Sequence, residues 1–172
     1  MKPLGELLQS ELSDDDIDRL GRTIGTDPRK AREAVDVALP EFFRQLQKNA
    51  STKQGYESLE RAIQRDHDGS IFDRLPQHLD RPDERDGEAI LGHVFGNDQN
   101  RVAQKLGANL GIDAGTAMKL LITLGPLLLG ALGKAKSSGG GGLGDILGGL
   151  GGGKSGCLSM LVPLLGKFLG KR

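Results

Sequence analysis

A stretch of 29 residues occurs twice in this chain of 172 residues. Residues 20–48 (LGRTIGTDPRKAREAVDVALPEFFRQLQK) align without a gap on residues 106–134 (LGANLGIDAGTAMKLLITLGPLLLGALGK). A duplicated segment of this length predicts two copies of one supersecondary unit that pack against each other. The two copies agree at eight positions, which are Leu20/Leu106, Gly21/Gly107, Gly25/Gly111, Asp27/Asp113, Ala31/Ala117, Pro40/Pro126, Leu46/Leu132 and Lys48/Lys134.

Each copy is predicted to contain a short helix, a turn and a long helix. In the first copy Gly25 ends the short helix and Asp27 caps the long one, and Gly111 and Asp113 repeat this pattern in the second copy. Apolar residues recur with helical spacing, whereas no stretch alternates apolar and polar residues as a strand does. We therefore predict an all-α protein of two related multi-helical repeat units with pseudo-two-fold packing.

The long helices of the two copies differ on the side opposite the shared apolar face, which is charged in the first copy and apolar in the second. The first helix is apolar on one side and charged on the other, as expected for burial on one side. Its apolar side is formed by Ala31, Ala34, Val35, Ala38, Leu39, Phe42, Phe43 and Leu46. In the second helix the other side carries Met118, Ile122, Leu127 and Ala131. Residues 114–133 should therefore form a hub helix covered on both sides, and those four residues are the candidate interaction surface.

Pro40 and Pro126 fall at the same point of the two long helices. Proline removes a backbone hydrogen bond and disfavours helix at the preceding residue. Each long helix is therefore predicted to be kinked, or broken into two helices, at its proline.

The repeat and the composition divide the chain into five segments. These are a first helical unit (1–75, with helices over 51–64 and 70–75), a charged linker (76–88), a second helical unit (89–134), a Gly-rich flexible linker (135–156) and a C-terminal apolar helix (157–172). The last segment partly echoes the second copy, with LVPLLGKFLGK beside LGPLLLGALGK. It is the candidate to cover the hub helix, and its apolar residues Leu161, Leu164, Leu165 and Phe168 complete the candidate interaction surface.

Composition restricts the class of protein more than its activity. The net charge is zero, but residues 1–86 carry 14 basic and 19 acidic residues (−5) while residues 87–172 carry 9 and 4 (+5). This division is too weak to indicate a nucleic-acid partner, although it favours head-to-tail association. The single cysteine fits a reducing compartment, and the N-terminus does not resemble a signal peptide. No apolar run is expected to reach the roughly 18–20 residues that are needed to cross a bilayer. We expect a cytoplasmic protein.

The string from Gly148 to Ser155 matches the phosphate-binding pattern G-x-x-x-x-G-K-[ST]. A working phosphate loop needs a buried strand before it and a helix after it, and residues 145–147 are too few for that strand. The match is expected by chance in so Gly-rich a segment. We therefore assign no nucleotide and no other cofactor.

The string DHDGS at residues 66–70 contains part of a calcium-loop pattern. The twelfth position of that pattern is Gln77 rather than glutamate, so we interpret Asp68 as a turn and N-cap residue for the helix over 70–75. His93 lies between apolar residues and could be buried, or could pair with Cys157 as base and nucleophile. Nothing in the spacing brings those two together, so no catalytic or metal-binding residue is assigned.

The start of the long helix in the first copy has the arrangement of a helix-turn-helix motif. Arg29, Lys30 and Arg32 would be its base-contacting residues. The acidic residues at 14–18 would face the same phosphates, so nucleic-acid binding is not expected.

Three segments of the sequence resemble a known family. The strings RDHDGSIFDRL (65–75) and DGEAILGHVFGNDQNRVAQKLGANLGIDAGTAMKLLITLGPLLLGALGK (86–134), and the first copy with Asn49-Ala50, are similar to the bacterial YidB-like family, domain of unknown function 937. The resemblance covers roughly residues 14–134. It implies an all-helical fold with homeodomain-like helix arrangements and no known reaction. Some relatives are fused to envelope-associated domains, which hints at a cell-envelope context.

The preferred functional hypothesis is a non-enzymatic structural or protein-interaction module that binds itself or another protein. A second hypothesis is peripheral membrane association through the C-terminal segment, whose Lys167, Lys171 and Arg172 would lie near lipid headgroups. DNA binding is the third. No small-molecule substrate is evident.

Overall fold

The computed structural model describes residues 4–139 and 141–150, and all regular secondary structure in these residues is helical. The prediction of an all-α protein is confirmed. The helices are α1 (Leu4–Glu11), α2 (Asp14–Ile24), α3 (Pro28–Ala50), α4 (Lys53–Asp66), α5 (Leu75–Asp80), α6 (Glu84–Phe95), α7 (Gln99–Leu110), α8 (Ala114–Ser137) and α9 (Leu143–Leu150), with short 3₁₀ helices at Ser70–Arg74 and Gly96–Asp98.

Glycines end α2 and α7 in the same conformation, as the sequence predicts. Gly25 and Gly111 have φ angles of 83° and 66°, which is the left-handed region that glycine enters without strain. Their backbone N–H groups donate to the carbonyl oxygens of Gly21 and Gly107. Each chain turn passes so close to the helix that a Cβ at Gly107 would lie 2.7 Å from the carbonyl oxygen of Ile112. Glycine is therefore required both at the helix end and one turn before it.

Aspartates begin the two long helices, again as predicted. The side chain of Asp27 accepts a hydrogen bond from the backbone N–H of Lys30, and that of Asp113 accepts one from Thr116. The Thr116 hydroxyl also donates to Asp113, and these two hydrogen bonds lower the pKa of Asp113. Local capping chemistry thus sets the start of both helices.

Both long helices continue through their prolines. Pro40 lies inside α3 and Pro126 inside α8, so the predicted alternative of a helix broken in two is wrong. The apolar face of α3 is buried on both sides of its proline, with Leu39 and Phe42 at 4% and 1% exposure. This burial holds the helix together despite the roughly 3 kcal/mol that an internal proline costs.

The helix α8 is the centre of the fold. Every residue from Leu120 to Gly133 is buried, and α8 contacts α1, α2, α3, α4, α6, α7, α9 and the 3₁₀ helix at Ser70–Arg74. In contrast α3 buries its predicted apolar face, with Phe43 only partly buried, and exposes Arg32, Glu33 and Asp36. The predicted contrast between a one-sided and a fully covered helix is confirmed.

Length and composition alone would let α8 cross a membrane, because it contains a window with mean hydropathy 1.6. The expectation that no apolar run reaches this length is therefore wrong. Within the protein 72% of that window is buried, so the position of α8 at the centre of the core accounts for its hydropathy.

Residues 67–95 pack closely against α8 at Ile122, Gly130 and Gly133. A Cβ at Gly87 of α6 would lie 2.4 Å from the carbonyl oxygen of Ile122. Farther along α8, the side chain of Ile71 lies over Gly130 and the carbonyl oxygen of His67 lies over Gly133. Gly87 on α6 and Gly133 on α8 therefore allow the backbone of α8 to lie close to the backbones of α6 and of His67.

The stretch 76–88 is not the charged linker that the sequence predicts. It contains most of α5 and the start of α6, and Leu79 and Gly87 are buried there. Its charged residues are mostly exposed, which gives the stretch the composition of a linker. A few apolar positions are nevertheless enough to hold these two short helices against α2 and α8.

The Gly-rich stretch 135–156 also differs from the predicted flexible linker. The first part continues α8 to Ser137, and residues 143–150 form α9, which contacts α1, α3 and α8. Leu143, Ile146 and Leu147 have helical spacing and are buried at 0%, 7% and 3% exposure. Residues 145–147 are therefore helical and provide no strand for the phosphate-binding string, the rest of which, 151–155, lies outside the described residues.

Substitution of Gly133 tests the close packing on α8. A Cβ at this position would lie 2.0 Å from the backbone oxygen of His67, which no side-chain rotation can relieve. We expect Gly133→Ala to lower the free energy of unfolding by about 2 kcal/mol. The matched control is Gly92→Ala, where nothing lies within 4 Å of the new Cβ and a gain of about 0.5–1 kcal/mol is expected. Equal stability of the two variants in urea denaturation would contradict the close approach.

Candidate functional site

The predicted interaction surface on α8 lies inside the protein. Leu127 and Ala131 are fully buried, Ile122 is 9% exposed, and Met118 is partly buried against the core. This corrects the interpretation of these four residues as a surface open to a tail or a partner, because helices of the same chain cover them. The other four candidates, Leu161, Leu164, Leu165 and Phe168, lie outside the described residues.

A groove of about 620 Å³ opens between α4 and α6. Buried apolar side chains from three helices form its floor, and these are Leu46, Ile90, Val94 and Leu129. Polar side chains line its rim, including Lys48, Asn49, Thr52, Ser58 and His93. Because Leu129 belongs to α8, the groove is a place where the hub helix lines an opening to the surface.

Asn49 joins the end of α3 to the end of α6 at one end of this groove. Its side-chain nitrogen donates to the carbonyl oxygens of His93 and Val94, both at 2.9 Å. These carbonyls belong to the last turn of α6, where helix carbonyls need partners from outside the helix. Asn49 therefore ties the end of α3 to the helix α6 that forms one wall of the groove.

The turn from α3 to α4 is equally constrained. The hydroxyl of Thr52 donates to the carbonyl oxygen of Asn49 and accepts from the backbone N–H of Gly55, so it caps α4. A Cβ at Gly55 would lie 2.0 Å from that carbonyl oxygen of Asn49. The side of the groove formed by α4 is thus set by backbone contact.

The three histidines occupy different environments. His93, which could have been buried, is exposed at the groove rim. His67 is the buried one, at 7% exposure, with Nε2 3.7 Å from an oxygen of Asp86. His78 forms a 3.0 Å hydrogen bond with the carbonyl oxygen of Thr123. Within residues 4–139 and 141–150 no three His, Cys, Asp or Glu side chains come together as a metal site, and Cys157 lies outside that part.

Asp68 takes part in a turn. Its carboxylate accepts a hydrogen bond from the backbone N–H of Ser70 at 2.9 Å, and hydrogen bonds from that N–H and from the Ser70 side chain lower the pKa of Asp68. The predicted turn role is therefore found, although Gly69, with φ at 100°, occupies the N-cap position and the following helix is 3₁₀.

The basic residues of the helix-turn-helix interpretation face carboxylates of their own chain. Arg32 forms a 2.5 Å ion pair with Asp14, and Asp18, Glu33 and Asp36 line the same surface depression as Arg29. The carboxylates that the sequence places near these basic residues therefore lie beside Arg29 and Arg32 in the structure.

The groove could not be found from the sequence. Leu46 belongs to the predicted apolar side of the first long helix, and Asn49 belongs to the segment that carries the family resemblance. The walls come from helices that are distant along the chain, and nothing in either helix alone signals a gap between them.

Removing the Asn49 amide tests its role at the groove. Asn49→Ala leaves the two carbonyls at the end of α6 without their donor, and we expect a loss of about 1–3 kcal/mol in the free energy of unfolding. Asn109→Ala, at an exposed position of α7, is the control and should be neutral or slightly stabilising. Thermal and urea denaturation of both variants measure this, and an unchanged stability of Asn49→Ala would contradict the assignment.

Comparison with known proteins identifies one family. A family model described as a bacterial protein of unknown function (DUF937) matches residues 6–135, which include α2 to α7, most of α8, the groove and the turn at Asp68. No curated protein matches the chain. No solved structure matches it either. The resemblance found in the sequence is thereby confirmed, and the chain belongs to the bacterial DUF937 family, whose function is unknown.

Proposed function

We propose that this chain is a non-enzymatic interaction module that associates with a second copy of itself through its C-terminal apolar segment, residues 157–172. The observation that carries the proposal is the complete burial of the middle of α8 by helices of its own chain. Of the residues that the segment was expected to cover, Ile122, Leu127 and Ala131 are already buried, and Ile122 packs against Gly87 of α6. We therefore assign the large apolar side chains of the segment to the surface of a partner protein.

A further part of the proposal is that α2–α3 and α7–α8 are two copies of one unit related by an approximate two-fold axis. Support comes from their matching glycine ends and aspartate caps. The contacts between the units are also reciprocal, since α2 contacts α8 and α7 contacts α3. A homeodomain-like arrangement of the helices and a cytoplasmic location are proposed with it, the former from the family resemblance and the latter from the single cysteine.

The alternatives have less support. Peripheral membrane association would use the same C-terminal segment, with Lys167 and Lys171 at the lipid headgroups, but its polar face is small. DNA binding is disfavoured by the ion pair of Arg32 with Asp14 and by the neighbouring carboxylates.

Charged substitutions in the full-length chain test the C-terminal segment. Leu164→Glu combined with Leu165→Glu places two charges on its apolar face, and we expect loss of self-association because burying unpaired carboxylates is unfavourable. The control combines Ser155→Glu with Ser159→Glu, which adds the same charge at polar positions. Light scattering over a range of protein concentrations gives the mass of each variant and of the unmodified protein.

The proposal predicts a dimer or larger species for the unmodified protein and the control, and a monomer for the Leu164/Leu165 variant. Monomeric mass for all three proteins would contradict it. Flotation with anionic liposomes separates the membrane alternative, which requires that the unmodified protein floats and the Leu164/Leu165 variant does not.

A further inference from the structure

The groove between α4 and α6 combines an apolar floor with a polar rim, as a binding site for an amphiphile does. Its floor is aliphatic and buried, with Ile90 and Val94 at 5% exposure each and Leu129 at 3%. Its rim is polar and largely exposed. A volume of about 620 Å³ is in the range of small-molecule sites, which combine an apolar lining with a few polar groups.

The charge of the groove rim indicates the sign of the charge on a ligand that would bind there. The chain has 23 acidic residues, yet none lines the groove, whereas Lys48 and His93 do. Within the described part of the chain no carboxylate forms an ion pair with Lys48. The carbonyl oxygens of His93 and Val94 at the end of α6 accept hydrogen bonds from Asn49, and that of Asn49 at the end of α3 accepts one from Thr52. The rim therefore complements a negative group.

We propose that this groove binds a free fatty acid, with the acyl chain on the floor and the carboxylate beside Lys48 and His93. A single acyl chain matches one apolar floor, and a carboxylate matches one lysine and one histidine. This site is independent of the self-association proposed above and adds a small-molecule ligand to the protein.

Calorimetric titration of the full-length protein with laurate, below its micelle concentration, tests the site. We expect one laurate per chain. Affinity should rise at least about fivefold from octanoate to decanoate, because each added methylene becomes buried. Dodecyltrimethylammonium, which has the same chain and the opposite charge, should bind at least about threefold more weakly than laurate.

Two variants locate the ligand. Lys48→Glu should weaken laurate binding about threefold or more, while Lys105→Glu, an exposed lysine on α7 with the same change of charge, should leave it unchanged. Ala62→Phe fills the groove from the side of α4 and should abolish binding, with helical content and melting checked by circular dichroism. Because Lys48 is exposed, its variant remains informative even if Ala62→Phe fails to fold.

Three results would overturn the proposal. The first is equal affinity for laurate and dodecyltrimethylammonium, or for Lys48→Glu and Lys105→Glu. The second is laurate binding only in the Leu164/Leu165 variant, which would assign the groove to the C-terminal segment. The third is binding to phosphatidylglycerol vesicles without binding to laurate. Failure of self-association leaves these titrations unaffected, so the two proposals are tested separately.

Discussion

The burial of α8 on every side is the constraint on which the rest of the structure depends. An apolar helix of this length has no polar face to expose, so other parts of the chain must surround it. Glycines make this possible, since Gly125, Gly130 and Gly133 let Ile90, Ile71 and the backbone of His67 approach the helix closely.

Charged side chains complete the cover where α8 reaches the surface. Lys134 pairs with Glu11 of α1 at 2.6 Å and lies over the ring of Phe72 at 5.3 Å, and Lys136 pairs with Glu60 of α4 at 2.6 Å. These ion pairs are partly exposed, so each contributes at most about 1 kcal/mol. Their role is to orient α1 and α4 on the end of α8, and the position of α4 in turn sets the width of the groove.

Local chemistry made part of this structure predictable from the sequence. A left-handed turn at Gly25 and caps at Asp27 and Asp113 depend on neighbouring residues alone, so these helix ends are predicted correctly. The fully apolar second copy likewise predicted the buried hub helix. These features are decided within a few residues of chain, where steric and capping rules act directly.

The predictions that are wrong concern segments whose structure depends on contacts with distant parts of the chain. The stretch 76–88 has the composition of a linker and forms helices because Leu79 and Gly87 find places against the core. The segment around Ile146 is rich in glycine and forms α9 because its aliphatic residues reach α3 and α8. The groove escaped prediction altogether, because a gap between α4 and α6 is a property of their placement on α3 and α8.

The central claim is that a single chain seals α8 without help from a partner, and native-state hydrogen exchange tests it most directly. The account predicts that the amides from Leu120 to Leu132, other than Pro126, exchange only through global unfolding, with the same protection at every protein concentration. Amides that exchange by local opening on the side facing residues 67–95, or protection that increases with protein concentration, would contradict it.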